Sequence, residues 1–331
     1  MKNMKLMAAV LNLFDGNYNP NTTGTETLSV ENKTYYEKNL IELVDPELVH
    51  DQFGQKHPIP KNGGKTIEFR QFDTLPELTT PLVEGVTPDG QSMSVTAKTA
   101  TVKQYGGYVT VADMLDMTAI DPVVVVADKS IASQAGRTLD TITRDIINAG
   151  TNVQYAAGQV DGRAELYFTS DEDNCNLSVD AVRRAVRTLE AQDAPKINGY
   201  YAGIIHPYCK YDLMSDPNWK MPHTYKDTTE LYKNEIGELY GVRFVESSRA
   251  KVFKGEGKDG ADVYSTLILG DDAYGVTEVT GGGLEHFVKQ RGSAGTADPI
   301  DQRSTVGWKA TKTAEILVEQ YMVRIETTAT A

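Results

Sequence analysis

The chain has 331 residues, 40% of them hydrophobic and 24% charged, enough for one large or two modest domains with a substantial core. A net charge of −13 and a pI near 4.9 argue against a sequence-reading nucleic-acid binder, which gathers Lys and Arg to neutralise phosphates. Cys175 and Cys209 are too few for a disulfide framework and read as free thiols filling a core. No apolar run reaches the roughly 18–20 residues that cross a bilayer, and Asn12 interrupts the basic, apolar start with no cleavage site following.

In chain order, residues 1–34 are rich in Asn and Thr with few apolar anchors after Phe14, the composition of an arm that orders only when something holds it. Tyr35, Tyr36, Leu40, Leu43 and Val44 fall near helical spacing, and Asp45-Pro46 ends that helix. A strand is expected over 65–72, and its return over 94–105. Pro76, Pro81, Gly85, Pro88 and Gly90 punctuate the tip between them. Alternation in the return strand leaves neither face apolar enough for a core. The pair therefore reads as a long two-stranded ribbon that needs another molecule to lie on, or else as the edge of a sheet in this chain.

Asp121 as N-cap and Pro122 at the first helical position open the longest element, which Gly150 closes. Its stripe Ile131, Ala135, Leu139, Ile142 and Ile146 steps by four, four, three and four, giving a rod of about 42 Å. Ser178 caps a second amphipathic helix with Val179, Val182, Val186 and Leu189 inward and Arg183, Arg184 and Arg187 outward. A buried strand over 200–205, a short helix after His206-Pro207, a helical 230–240, and strands over 242–246 and 263–270 make an α/β unit of about a hundred residues. Strands near 285–289 and 315–326 close the chain.

Motifs for chemistry fail one after another. Gly63-Gly64-Lys65-Thr66 copies the end of a phosphate loop, but position 59, which that pattern needs as Gly, is Ile, and a strand follows. His206 and Cys209 have the spacing of two metal ligands without a third, so a strand-end histidine satisfied by a hydrogen bond is expected. His50 and His57, on either side of Asp51 and Gly54, read as solvated loop histidines. Asp171, Glu172 and Asp173 lack the glycine and terminal Glu of a calcium loop. No nucleophile elbow, zinc-protease pair or dinucleotide fingerprint appears, so catalytic, cofactor and metal residues are expected to be none.

Several separate segments carry a resemblance. They are Phe53-Gly54-Gln55-Lys56-His57-Pro58-Ile59-Pro60 with Gly63-Gly64-Lys65-Thr66-Ile67-Glu68-Phe69-Arg70, then His206-Pro207 through Asp212-Leu213 and Asp216-Pro217-Asn218-Trp219. Ile236-Gly237 through Gly241-Val242-Arg243-Phe244-Val245-Glu246-Ser247, and Gln302-Arg303-Ser304-Thr305-Val306-Gly307-Trp308-Lys309-Ala310, complete the set. Together, in this order, they resemble the major capsid proteins of tailed bacteriophages, in the family related to the coat protein of N-four-like phages.

The resemblance implies an α+β chain with the Hong Kong phage coat-protein fold. Its parts would be an N-terminal arm (1–60), an E-loop hairpin (61–111), a peripheral domain (112–174) on a long spine helix, an axial domain (175–284), and return strands of the peripheral domain (285–331). Hexamers and pentamers would form an icosahedral shell around double-stranded DNA, each E-loop over a neighbour's peripheral domain. Tyr35, Tyr36 and Phe53 of the arm, with Phe69, Arg70, Phe72, Pro76, Pro81, Lys98, Lys103 and Tyr105 of the E-loop, are the expected assembly residues. Asp121, Pro122, Ile131, Leu139, Ile142 and Ile146 are expected to build the spine helix. Partners would be copies of the chain, separate scaffolding, portal and decoration proteins, and DNA contacted without sequence specificity, with no membrane. No crosslinking Lys and Asn pair can be matched, and no long N-terminal segment offers a built-in scaffold. Assembly in the host cytoplasm and residence in the virion follow; an encapsulin-type nanocompartment, sharing the fold but enclosing an enzyme, is the alternative.

Overall fold

The structure, a computed structural model, describes residues 48–58, 65–72, 75–82, 84–118, 123–156, 160–168, 175–219, 235–278, 284–293 and 298–330. Among the described residues the first elements are β1 (Gln55–His57), β2 (Thr66–Phe72), β3 (Val95–Thr101) and β4 (Lys103–Ala112), then α1 (Asp113–Thr118) and α2 (Val123–Ile147). It continues through β5 (Val153–Tyr155), α3 (Val179–Ala191), β6 (Tyr201–Ile205), α4 (Pro207–Ser215), β7 (Glu235–Leu239), β8 (Val242–Glu246) and β9 (Val252–Phe253). The last strands are β10 (Val263–Leu269), β11 (Tyr274–Thr277), β12 (Leu284–Lys289), β13 (Arg303–Lys312), β14 (Ala314–Ile316) and β15 (Met322–Thr327). The class is α+β, as the sequence implied.

The largest sheet has the order β5-β15-β10-β6-β8-β7, with β9 on β10. Its central strands β6 and β10 are buried at every residue, so their apolar runs are continuous rather than alternating. One face is covered by α3 and α4, through Val182, Leu189, Cys209 and Leu213 against Ile205, Phe244 and Ile325. The Ser178 hydroxyl caps α3, accepting from the Ala181 N–H at 3.3 Å. On the other face Ala202, Ile204, Leu267 and Met322 meet Ile147 of α2 and the small sheet β1-β11-β14.

A third sheet, β12-β13-β4, lies on α2, with Val306, Trp308 and Ala310 against Ile131, Ala135 and Leu139. The 25 residues of α2 make a rod of about 38 Å. Ile131 and Leu139 are buried as the stripe requires, whereas Ile142 and Ile146 are half-buried. Asp121 and Pro122 lie outside the described residues, as do Tyr35, Tyr36, the arm before residue 48, and the acidic cluster at 171–173.

The expected ribbon forms, with β2 antiparallel to β3 from Thr66↔Thr101 to Phe72↔Val95. It is shorter than the sequence suggested. The return breaks at Val102, and residues 103–112 leave to pair with β13 along its full length, so the ribbon proper ends at Thr101. Its base is also better anchored than the alternation allowed. Ile67, Phe69 and Ala100 are buried on one face and pack on Val102 and Leu317.

Three further expectations need correction. Residues 235–239, expected as part of a helix, form β7, because Tyr240 and Gly241 both take positive φ (49° and 78°) and close a two-residue hairpin onto β8. The closing strand expected near 315–326 is divided into β14 and β15, and β15 lies in the large sheet between β10 and β5. His50 is fully buried rather than solvated, and His57 is half-buried with its ring edge-on to Phe69 at 4.8 Å.

Phe69 sits in a socket left open by Gly275, where an added Cβ would meet its ring at 2.4 Å. Gly275→Ala should therefore overpack the site and destabilise the fold by about 1–3 kcal/mol, measured by chemical denaturation. Phe69→Leu in the same chain should recover most of the loss.

Candidate functional site

The ribbon divides into a held base and a free tip. Every described residue from 75 to 94 is exposed, including Pro76 and Pro81. Leu78 and Leu82 are 79% and 77% exposed, and Leu75, Val86 and Met93 are exposed beside them. Among the described residues these leucines stand outside every packed cluster and form apolar surface.

The expected assembly residues separate along this line. Arg70 is exposed and pairs with Glu68 at 2.9 Å on the outer face of the strand, and Lys103 is exposed at the start of β4. Phe53 and Phe69, by contrast, are 4% and 1% exposed, so they cannot be assembly surface and instead anchor the chain internally. The physical reason is that Phe53 joins the cluster around Tyr274 and Val276, while Phe69 fills the Gly275 socket. Lys98 is committed too, since its ammonium donates to the Ile316 carbonyl at 3.1 Å. Tyr105 is half-buried against the α2 cluster. Nothing about the Phe72 side chain lies within the described residues.

Behind the ribbon base is a buried polar latch that sequence reasoning missed. The Lys312 ammonium, at the end of β13, is fully buried and donates to the Asp51 carboxylate. The other Asp51 oxygen accepts from the Thr143 hydroxyl of α2 at 2.6 Å. One residue earlier, the His50 backbone N–H and ring Nδ1 reach the two oxygens of Asp140 at 2.8 and 2.9 Å, and the Tyr274 hydroxyl donates to the His50 carbonyl. Asp140 and Thr143 are three residues apart, hence on one face of α2, which was the only local signal available. Burial, with the Asp51 and Asp140 charges nearby, holds the Tyr274 phenol well above its ordinary range, so it stays a donor.

A second latch lies just past the C-terminus of α2. The Arg324 guanidinium donates to the carbonyls of Asn148 and Gly150, the latter at 3.0 Å, in the turn that follows the helix. Glu326 beside it accepts from Arg324 at 2.8 Å and from Arg163 through two bonds of 2.7 Å. The Arg163 guanidinium also lies 3.5 Å from the centre of the Phe253 ring.

The residues weighed for chemistry have ordinary structural roles. His206 caps α4, its Nδ1 accepting from the Tyr208 N–H at 3.3 Å. Burial pushes the Cys209 thiol up to about 12, far from a reactive thiolate. Among the described residues no group of three His, Cys, Asp or Glu side chains could hold a metal.

The pair at Lys312 gives an asymmetric mutational outcome. Lys312→Met alone should cost about 3–5 kcal/mol, because it strands the Asp51 carboxylate, while Lys312→Met with Asp51→Leu should recover most of that in denaturant melts. A second outcome concerns pH. Burial keeps the His206 imidazole below its ordinary 6.5, so the unfolded chain binds this proton more readily than the folded one. The His206 contribution is thus complete above pH 6.5 and is lost as pH falls from there through the lower value of the folded imidazole, by at most about 1 kcal/mol for one helix cap. His206→Asn should flatten the difference between melts at neutral and mildly acid pH.

Comparison with known proteins gives the arrangement its context. Residues 96–324 match the family model described as phage capsid protein. No curated protein matches the chain. Among solved structures, the capsid of Ralstonia phage GP4 is 14% identical with a TM-score of 0.63, over 85% of this chain and 88% of that one. The capsid of cyanophage P-SCSP1u is 13% identical with a TM-score of 0.60 (86% and 89% covered), and that of cyanophage Pam1 14% with 0.59 (81% and 86%). At such identities the likeness is one of fold, and the fold is that of tailed-phage shells. With the family model spanning more than half its length, the chain belongs to the phage capsid protein family and is a major capsid protein.

Proposed function

We propose that copies of this chain associate as hexamers and pentamers into an icosahedral shell that encloses double-stranded phage DNA. The observation that carries this is the exposed tip at 75–94, which holds out Leu78 and Leu82 at nearly full exposure from a firmly anchored base. Residues 1–60 serve as the arm that laces adjacent subunits, and the ribbon is the E-loop that lies over a neighbour's peripheral domain, built on α2 and the sheet β12-β13-β4. The large sheet with α3 and α4 forms the body of the axial domain, meeting its counterparts at capsomer centres. Each contact is heterologous, and mixing fivefold with sixfold arrangements sets the curvature that closes the shell.

Scaffolding, portal and decoration proteins are separate partners in this reading, and assembly takes place in the host cytoplasm. The charge of −13 suits a lumen that lets DNA slide without gripping it, so DNA contact is not sequence-specific. An encapsulin-type compartment is the less favoured reading, because the family matched is one of phage capsids.

Deleting residues 71–94 tests the role of the tip. The shortened subunit should remain soluble and folded, by circular dichroism and gel filtration, yet yield no capsomers or particles under negative-stain electron microscopy. Intact shells from that deletion would overturn the assignment.

A further inference from the structure

α2 turns its apolar stripe to the sheet β12-β13-β4 and leaves the opposite side open. Along that open side Lys129, Ser133, Arg137 and Thr141 follow one another at steps of four, with Ser130 and Arg144 beside them. Lys129, Ser130 and Arg137 are exposed, while Ser133, Thr141 and Arg144 are half-buried. From Lys129 to Arg144 the row runs about 22 Å. It is made of cations and hydroxyls.

The carboxylates of α2 are all committed elsewhere. Asp128 lies 2.7 Å from the His286 ring of β12, on the sheet side, and Asp140 is buried against His50. Asp145, near the end of the helix, pairs with both Arg144 and Lys251 at 2.9 Å. By contrast, among the described residues neither Lys129 nor Arg137 has a carboxylate within ion-pair distance; the Arg137 Nε donates to the Ser133 carbonyl at 3.2 Å, which leaves its charge uncompensated. Lys129, Arg137, Arg144 and Lys251 thus stand against Asp145 alone, a positive surface on a chain whose net charge is −13. The other side of the same layer differs in character: the sheet exposes Tyr108 and Phe287, and Glu285 lies 3.5 Å from Lys309.

We propose that the open side of α2 faces the lumen and is the surface on which packaged double-stranded DNA rests, its phosphates met by Lys129 and Arg137 and by the hydroxyls of Ser130 and Thr141. This rests on the shell reading and deepens it, by assigning which side of the peripheral layer meets DNA and through which residues. Cations and hydroxyls bond phosphate oxygens and carry no sequence information, so the contact is with the backbone alone. The row is as long as about six phosphates of one strand, yet sets only two uncompensated cations against them. Such a contact is weak in each subunit and repeated in every copy, which holds DNA near the wall without fixing its register.

The test begins with DNA-filled particles of the unsubstituted chain, treated with formaldehyde and analysed by peptide mapping. Lys129 should be joined to DNA, while Lys289 and Lys309, on the sheet side, should not. Absence of the Lys129 adduct would overturn the assignment, whichever other lysine reacts. In solution, full-length subunits carrying Lys129→Gln with Arg137→Gln should bind a mixed-sequence duplex with a salt slope smaller by about 2, because each phosphate contact contributes about 0.9. Arg183→Gln with Arg187→Gln makes the same change of charge on the exposed side of α3 and should leave the slope unaltered. An equal fall in both pairs would mean attraction by net charge alone and would refute the site. Loss of particles from the α2 pair, with subunits still folded by circular dichroism, would make this side a contact between copies and count equally against DNA. Failure of the unsubstituted chain to form any particle would instead sink the shell reading itself.

Discussion

The buried ion pair between Lys312 and Asp51 is the constraint on which the rest of the chain depends. Placing an ammonium in a fully buried site costs several kcal/mol, which only a close carboxylate and further hydrogen bonds can offset. Asp51 meets that requirement only while Thr143 of α2 holds its other oxygen and His50, one residue away, is held by Asp140. The end of the arm, the spine helix and the last residue of β13 are therefore fixed to one another by groups that cannot be moved singly. β14 follows Lys312 within two residues, and through the Lys98 bond to the Ile316 carbonyl it fixes the ribbon base as well. From the arm to the ribbon, position is inherited from one desolvated contact.

This explains an inversion in where the chain places its side chains. Charges that a soluble monomer would leave in water, Lys312, Asp140, Arg324 and Glu326, are buried, while leucines that a core would take are held out on the tip. The buried charges fix geometry, since each is tied to a unique set of partners; in the proposed shell the exposed leucines would supply adhesion that is weak per contact. A shell needs both. Interfaces of ordinary size, repeated around each subunit and across hundreds of subunits, give stability through avidity, provided every copy presents them at the same angle.

How far this could be read from the sequence follows from the range of each interaction. α2, α3, β6 and β10 were legible because their determinants are local: a 3.6-residue stripe, a Ser cap, an unbroken apolar run. β13 escaped because its outward row, Thr305, Gly307, Lys309 and Thr311, dilutes the apolar one, and its strand character comes from pairing with β4 some two hundred residues earlier. Residues 235–239 looked helical because the turn at Tyr240-Gly241 that makes them a strand acts through β8. The latch was invisible for the same reason, since Asp51 and Lys312 are separated by 261 positions. The ribbon was recognised from its punctuation, but the burial of Phe69 depends on the absence of a side chain at Gly275, which nothing near Phe69 announces. Function was legible through resemblance rather than through any single residue.

The anchored base also bears on why a ribbon with so little core can act in assembly. An isolated two-stranded ribbon is marginal in water, and fixing its backbone on a partner would cost about 1–2 kcal/mol for each residue ordered. Here the seven paired residues of each strand are already ordered, because Ile67, Phe69 and Ala100 are buried against the subunit that carries them. In the proposed shell association would have at most the tip left to order, and a larger share of the gain from burying its leucines would remain as affinity. A base any looser would squander the contact in entropy, whereas one sealed to its end would leave no apolar surface to share. The boundary between the two, near Phe72 and Val95, separates the part packed on its own subunit from the exposed part that the proposed shell would bury.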